Sequence, residues 1–325
     1  MNAKQNALEI IRFGRPERVM TGAPCHVISY LGCNHENFEG RGHDQPVGTR
    51  WTDVWGTVWQ KEQEGIMGFP QVHPLDEPSK LRAYQWPRGD DERIVGRICE
   101  QAKGWNAEEK FLAGSHRETL WEKCYMLVGM ENMMVYFRSE PNYAREICQR
   151  VMDWDLTVAG HYLKLGIELA NCGDDLGTQL GPLLGPEIFG EFLRPQYRRL
   201  FDLYKSRGVI INFHSCGKID TVVEPLMDLG VHILNPVQAT ANDLDQLRAR
   251  TQGRMCLSGG VSSATVHRGP VAAIEAEARQ RMWQLGRQGG YFCGADQGLP
   301  FPKEHTDALS RAVEKYGQYP LQAPA

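Results

Sequence analysis

Residues 208–235, GVIINFHSCGKIDTVVEPLMDLGVHILN, hold the pattern on which the fold turns. Val209 to Phe213 is a short apolar, β-branched run that reads as a strand, and Gly208 stops the element before it. The polar turn His214-Ser215-Cys216-Gly217 follows, then a helix near Thr221 to Leu229. Val231 to Leu234 is a second strand, closed by Asn235-Pro236. Strand, polar turn, helix, strand is the unit of a parallel sheet covered by helices.

The same unit recurs on both sides. Upstream, Ile167 to Asn171 reads as a strand ending in Cys172-Gly173-Asp174-Asp175, and Pro186 opens a helix to about Lys205 with Phe189, Phe192, Leu193, Tyr197, Leu200 and Tyr204 at helical spacing. Downstream come a helix over Ala241 to Arg250 and the strand Met255 to Leu257 with its turn Ser258-Gly259-Gly260. A helix from Val271 to Leu285 leads to the strand Tyr291 to Cys293 with its turn Gly294 to Gly298, and helical residues around Thr306 to Tyr316 end the pattern. Consecutive strand-helix units with polar residues just after each strand predict an α/β fold, a (β/α)8 TIM-type barrel whose chemistry sits at the carboxyl ends of the strands. Arg18 to Ala23 and Lys110 to Ala113 can supply early strands, with Val19 to Val27 as the first barrel strand. Leu120 to Phe137 and Asn142 to Leu165 read as helices. Residues 30–90, rich in Gly, Pro, Trp and His, are expected to form an irregular N-terminal extension over the barrel mouth or its opposite end. With no repeat and no linker, residues 1–325 read as one domain.

Composition excludes several classes. Of 325 residues, 36 are Lys or Arg and 40 are Asp or Glu, for a formal net charge of −4, which gives no basic footprint for nucleic acid. No apolar run is long enough to span a bilayer, and Glu9 interrupts the start where a signal peptide would be apolar, so a cytoplasmic location is expected. Nine cysteines, most of them single within apolar stretches, read as free thiols and not as a disulfide framework.

His214 and Cys216 sit at a strand end two residues apart, a spacing that lets an imidazole and a thiolate converge on one ion. Cys293, at the end of a later strand, would be the third ligand of a catalytic zinc that keeps one position open. The opposing reading is that His214 caps a turn while Cys216 and Cys293 are unrelated buried thiols. His26, His35 and His43 read as solvated loop histidines, with His26 the one to watch, and His116 lies near a strand end where it could face the cavity. Trp51, Trp55 and Trp59, at a spacing of four, fit either a helix packing its indoles inward or part of a docking surface or lid.

The ordered stretches Asp174-Asp175-Leu176-Gly177-Thr178-Gln179, Pro186-Glu187, Phe213 to Gly217, Ile233 to Gln238, Gly259-Gly260-Val261 and Gly289-Gly290-Tyr291 resemble the uroporphyrinogen decarboxylase superfamily. Arg15 to Val19 and Asp53 to Gly56 resemble it more loosely. Within it the likeness is to the cobalamin-dependent methyltransferase branch. The Arg-Gln-Ala-Gly-Arg run by which true decarboxylases grip their substrate is absent, so haem-pathway decarboxylation is not expected. The resemblance implies a (β/α)8 barrel and a zinc on His214, Cys216 and Cys293. In the coenzyme M methyltransferases the distal cysteine precedes a Gly-Ile-Pro-like turn. That places it at Gln297, ahead of Gly298-Leu299-Pro300, four residues beyond Cys293. A site lacking that thiol would be incomplete, or would use a carboxylate such as Asp175 or Asp296.

The resemblance further implies methyl exchange between a small donor or thiol acceptor and a corrinoid. Zinc would either make the acceptor thiol a thiolate or polarise the donor heteroatom. No Asp-x-His-x-x-Gly signature of a corrinoid-binding module occurs in the sequence, so the cobalamin is expected on a separate corrinoid protein docking over the barrel mouth. Asp175 would orient substrate or act as a general base. Asn235, Gln238, Gln179, Asp296 and His116 are expected on the substrate side, and family members suggest a homodimer. The rival readings are a metal-free decarboxylase-like lyase acting on a carboxylated compound, and a non-catalytic barrel that binds a tetrapyrrole or corrinoid.

Overall fold

A computed structural model describes residues 1–324. Among them are ten strands, β1 (Cys25–Ser29), β2 (Arg50–Thr52), β3 (Val58–Gln60), β4 (Phe69–Val72), β5 (Phe111–Glu118), β6 (Leu169–Gly173), β7 (Ile210–His214), β8 (Ile233–Val237), β9 (Cys256–Val261) and β10 (Tyr291–Ala295). Seven form one sheet in the order β1-β5-β6-β7-β8-β9-β10, parallel throughout. Ahead of β1, Met20 bridges Phe292, and its carbonyl accepts the Cys293 N–H at 2.8 Å. The run into β1 therefore joins the two edges of the sheet and curls it into a TIM-type barrel. The expected strand at Arg18 to Ala23 is reduced to isolated bridges, and the regular first stave is β1.

Alternation along each strand decides what faces inward. Phe111, Ala113, Leu169, Ile233, Cys256 and Phe292 form the inner core, together with Ala7, Ile10 and Ile11 of the helix Ala3–Ile11, which plugs the amino-terminal floor. That helix starts at a capping box made by Asn2 and Gln5. Leu112, Ala170, Ile211, Leu234, Leu257, Tyr291 and Cys293 face the other way, into the larger core beneath the outer helices. Each large apolar side chain buried this way contributes roughly 1.5–3 kcal/mol, so slipping any strand by one residue would lose several such contributions. Parity is thereby fixed.

The outer helices follow the expected pattern, with Glu92–Gln101 and Ser263–Arg268 in addition, and two of the expected ones are interrupted. Leu120 to Phe137 is two helices, Trp121–Val128 and Met130–Ser139, because Gly129 has a positive φ of 93° between them. The helix begun at Pro186 contains a π-helical segment, Phe189–Leu193, before it continues as Arg194–Lys205. The long helix Pro141–Lys164 buries Tyr143, Ile147, Val151, Trp154, Val158 and Tyr162, one face at a period near 3.6.

The extension is more ordered than its composition suggests. β2, β3 and β4 make an antiparallel sheet in which Trp51 pairs with Trp59 across the hairpin, both buried, with ring centroids 6.5 Å apart. The helical reading of Trp51, Trp55 and Trp59 is therefore wrong, and none of the three is available as a docking surface. The buried Asp53 carboxylate accepts from the Trp55 and Thr57 amides and from Trp59 Nε1, and Gly56 at φ 83° turns the chain. These local bonds set the four-residue spacing as a hairpin. No helix among the described residues is long and apolar enough to cross a membrane.

Candidate functional site

At the carboxyl end of β7 the chain leaves the barrel at His214, and Ser215 N–H bonds to the Asn235 carbonyl at 2.7 Å. Gly217, at φ 81°, then turns it across the loop after β6, and a Cβ there would lie 2.3 Å from the Gly177 carbonyl carbon. The turn is pinned by Gln238, whose Oε1 accepts the Gly217 N–H, and by Ser215 Oγ, which accepts the Leu176 N–H at 3.0 Å. Gly173 faces His214 across β6 and β7 with no room for a Cβ, which would sit 2.7 Å from that of His214. This close packing of two strand ends delivers Asp175 to the His214-x-Cys216 pair.

The three ligand atoms lie within 4.8 Å of one another. His214 Nε2 is 3.2 Å from Cys216 Sγ and 3.5 Å from an Asp175 oxygen, and that oxygen accepts the Cys216 N–H at 2.9 Å. Two donors on one tetrahedral zinc, with bonds of about 2.0–2.3 Å, stand about 3.3–3.7 Å apart, so the two distances from His214 fit. The opposite ring nitrogen, His214 Nδ1, is 3.2 Å from Asn235 Oδ1. An Nδ1–H donated there leaves the Nε2 lone pair aimed at the cluster, as the outer partner of a metal-bound histidine does. The groups also pair directly with one another. Burial opposes a charged imidazole, but contacts to Asp175 and Cys216 raise the His214 pKa well above its ordinary value. Burial likewise opposes the Asp175 carboxylate, yet the bond to His214 leaves its pKa lowered.

These groups open onto a cavity of about 570 Å³ lined by strand-end residues of β5, β6, β7 and β8, by Gln297, and by His43, Ile66 and Met67 of the extension. The extension thus covers the mouth and not the floor. Among the sequence candidates, Asp175, His214, Cys216 and Asn235 line this cavity. Cys293 does not. It shares the outward parity of Tyr291, is fully buried beside the Ala278 carbonyl, and burial pushes its thiol up to about 12. His116 also points outward, between Asp155 Oδ1 at 3.1 Å and the Tyr204 hydroxyl at 2.5 Å. Asp296 is buried against the Ser263 hydroxyl and amide, Gln238 serves the Gly217 turn, and Gln179 lies exposed on the loop after β6. These five are corrected to supporting or peripheral positions.

Gln297, by contrast, is in place: its Nε2 donates to Cys216 Sγ at 3.1 Å. Asp174 is a clamp beneath the site, accepting from Leu120 and Glu122 amides at 2.8 and 2.7 Å and from the Tyr197 hydroxyl. Its burial lifts the carboxyl to about 7.

Sequence reasoning missed Arg117, Glu118, Glu122, Asn171 and Asn212 on the cavity wall. Asn171 and Asn212 carried a signal, because they share inward parity with Leu169 and His214; Asn212 Nδ2 donates to Asn171 Oδ1 at 2.9 Å. Arg117 carried the same signal, in the parity of Phe111, Ala113 and Ser115. Glu118 carried none: a register shift between Ser115 and Arg117, with Arg117 at φ 49°, breaks the alternation and brings Glu118 opposite Gly173 at the cavity. Glu122 is pushed well above the usual carboxyl range by burial and by Glu118, Asp175 and Asp174 nearby. His35 is fully buried and so is not a solvated loop histidine; His43 is a partly exposed loop histidine that lines the cavity, and His26 is tied to the Gln101 carbonyl.

Comparison with known proteins agrees with this architecture. A methyltransferase from Methanosarcina mazei superposes with a TM-score of 0.72 at 16% identity, covering 97% of this chain and 99% of that one. A B12-independent methionine synthase from Shewanella sp. W3-18-1 reaches only 0.37 at 9% identity, over 63% of this chain and 60% of that chain, too low to argue from. No curated protein matches. The uroporphyrinogen decarboxylase (URO-D) family matches residues 75–316, which hold six of the seven barrel strands and Asp175, His214 and Cys216. The chain therefore belongs to the uroporphyrinogen decarboxylase family.

Proposed function

We propose that this chain is a zinc-dependent methyltransferase that exchanges a methyl group between a small donor or thiol acceptor and a corrinoid carried by a separate protein. The observation that carries the reading is the convergence of Asp175, His214 and Cys216 on the cavity at the carboxyl ends of the barrel strands. Asp175 takes the place first expected of Cys293. The set mixes sulfur, nitrogen and oxygen donors, which suits zinc. Bound there, zinc would supply Lewis acidity that favours a thiolate or polarises a methylated heteroatom.

The chain's own residues do the rest. Asn235 orients the His214 ring, and the Gln297 amide stabilises negative charge on Cys216. Ile66 and Met67 give the cavity an apolar wall that keeps water from the transferring methyl. A cavity of this size admits a small molecule and leaves the corrinoid to approach from the mouth. Arg117, the only arginine or lysine lining the cavity among the described residues, is already engaged by Glu118 and Asn34. A substrate bearing several carboxylates would find little to bind it, which favours methyl transfer over the decarboxylase-like lyase. A cytoplasmic location and a homodimer belong to the same proposal.

The test is metal content together with turnover. One zinc per chain is expected by mass spectrometry, falling to near zero in His214→Ala and Cys216→Ser, with loss of demethylation of a methylated corrinoid by a thiol. Zinc-free wild type with unaltered variants would remove the reading.

A further inference from the structure

Glu118 is 6% exposed and lines the cavity. Its Oε1 receives the Arg117 Nε at 3.0 Å and lies 3.4 Å from His35 Nε2, while its Oε2 has no partner. A carboxylate can accept at about four positions, and here one oxygen is shared by the Arg117 guanidinium and the His35 ring while the other is unused. Asn212, also on the cavity wall, repeats the arrangement: its Nδ2 is spent on Asn171, and its buried Oδ1 has no partner. Two buried acceptors on one wall lack donors, although buried polar atoms are rarely left so. The two residues beside Glu118 are themselves held in left-handed backbone, His35 at φ 60° and Arg117 at φ 49°. Such conformations persist where the surrounding structure enforces them. Arg117 is braced further by Asn34 Oδ1 at 2.5 Å, so its guanidinium is committed to the wall.

We infer that the cavity recognises its small substrate through hydrogen-bond donors, an ammonium or hydroxyl tail received by Glu118 Oε2 and Asn212 Oδ1, and disfavours carboxylate, sulfonate or phosphate tails. This deepens the methyltransferase reading and rests on it for the choice of thiol probes. It assigns recognition to residues outside the metal cluster.

The test is calorimetric binding of three thiols to the zinc-loaded full chain: cysteamine with an ammonium tail, 2-mercaptoethanol with a hydroxyl tail, and 3-mercaptopropionate with a carboxylate tail. At least one donor-tailed thiol is expected to bind tenfold or more tighter than 3-mercaptopropionate, and comparison of the two tells ammonium from hydroxyl. Glu118→Gln and Asn212→Leu should each reduce that preference at least threefold. Should Glu118→Gln not fold, Asn212→Leu and the wild-type ranking decide. Equal binding of the three, or tightest binding of 3-mercaptopropionate through Arg117, overturns the inference while leaving the metal reading intact. If no thiol binds, the thiol-acceptor form of the methyltransferase reading falls, and the inference is decided on metal-free protein by saturation-transfer NMR with ethanolamine and acetate. Ethanolamine contact that is lost in Asn212→Leu supports it; no ethanolamine contact overturns it.

Discussion

The Gln297 amide nitrogen lies 3.1 Å from the Cys216 sulfur, at the position where the resemblance to coenzyme M methyltransferases places the distal thiol. A cysteine side chain is shorter than glutamine but carries a far better zinc donor. Gln297→Cys is expected to raise zinc affinity at least tenfold in chelator competition. An unchanged or weaker affinity would show that the loop after β10 does not face the metal position.

Accessibility and acidity separate the thiols. Cys99 is exposed and Cys216 half-buried, whereas Cys293 is buried with its thiol pushed up to about 12. Iodoacetamide at pH 8 should modify Cys99 and Cys216 first and leave Cys293 untouched, and zinc should protect Cys216 alone. Peptide mass spectrometry reads this directly; early labelling of Cys293 contradicts its placement.

Glu118 links stability to acid. Burial alone would raise its pKa, but His35 and Arg117 overcome that and hold the carboxyl at about 2, below its ordinary value of 4.5. A depressed pKa means that the stabilisation is present above about pH 4.5 and is lost as pH falls toward 2, up to about 3 kcal/mol in all. Glu118→Gln should therefore destabilise the protein near pH 7, with the gap to wild type narrowing below pH 4.5 in urea titrations. A gap that stays constant down to pH 3 would rule this out.

Gly217 cannot take a side chain cheaply. It combines φ 81° with a Cβ direction that runs into the Gly177 backbone. Gly217→Ala should cost on the order of 3 kcal/mol and should impair zinc binding by shifting Cys216. A Tm within a degree of wild type, with full zinc, would refute the close crossing of the two loops.

Asp53 gathers three donors inside the hairpin of the extension. Asp53→Ala leaves them unmet and should cost about 2–4 kcal/mol, with a red shift in tryptophan emission as Trp51 and Trp59 meet water. Emission identical to wild type would argue against this hairpin.

How much of this could be read beforehand depends on which residues are local to one another. The strands β6 to β10 and their polar turns were legible because each strand-helix unit announces itself within about thirty residues. His214 and Cys216 were legible for the same reason. Asp175 joins them only through the β6-β7 register, a contact across about forty residues that periodicity cannot express. Cys293 and His116 were misplaced by neglect of parity: Phe292 and Ala113 face inward, so their outward neighbours cannot. Glu118 escaped because a bulge suspends the alternation where the wall is built, whereas Arg117 keeps the inward parity of Phe111 and Ala113 and could have been read from it.

The helix Ala3–Ile11 seals the bottom of the barrel, and the extension overhangs the top. Among the described residues the cavity opens at that mouth, so whatever is exchanged inside passes through it. Under the proposed reaction the smaller reactant is seated before the bulky carrier arrives, and its product departs only after the carrier has withdrawn. Turnover would then be paced by traffic through that entrance as much as by bond making, and an excess of carrier would slow it.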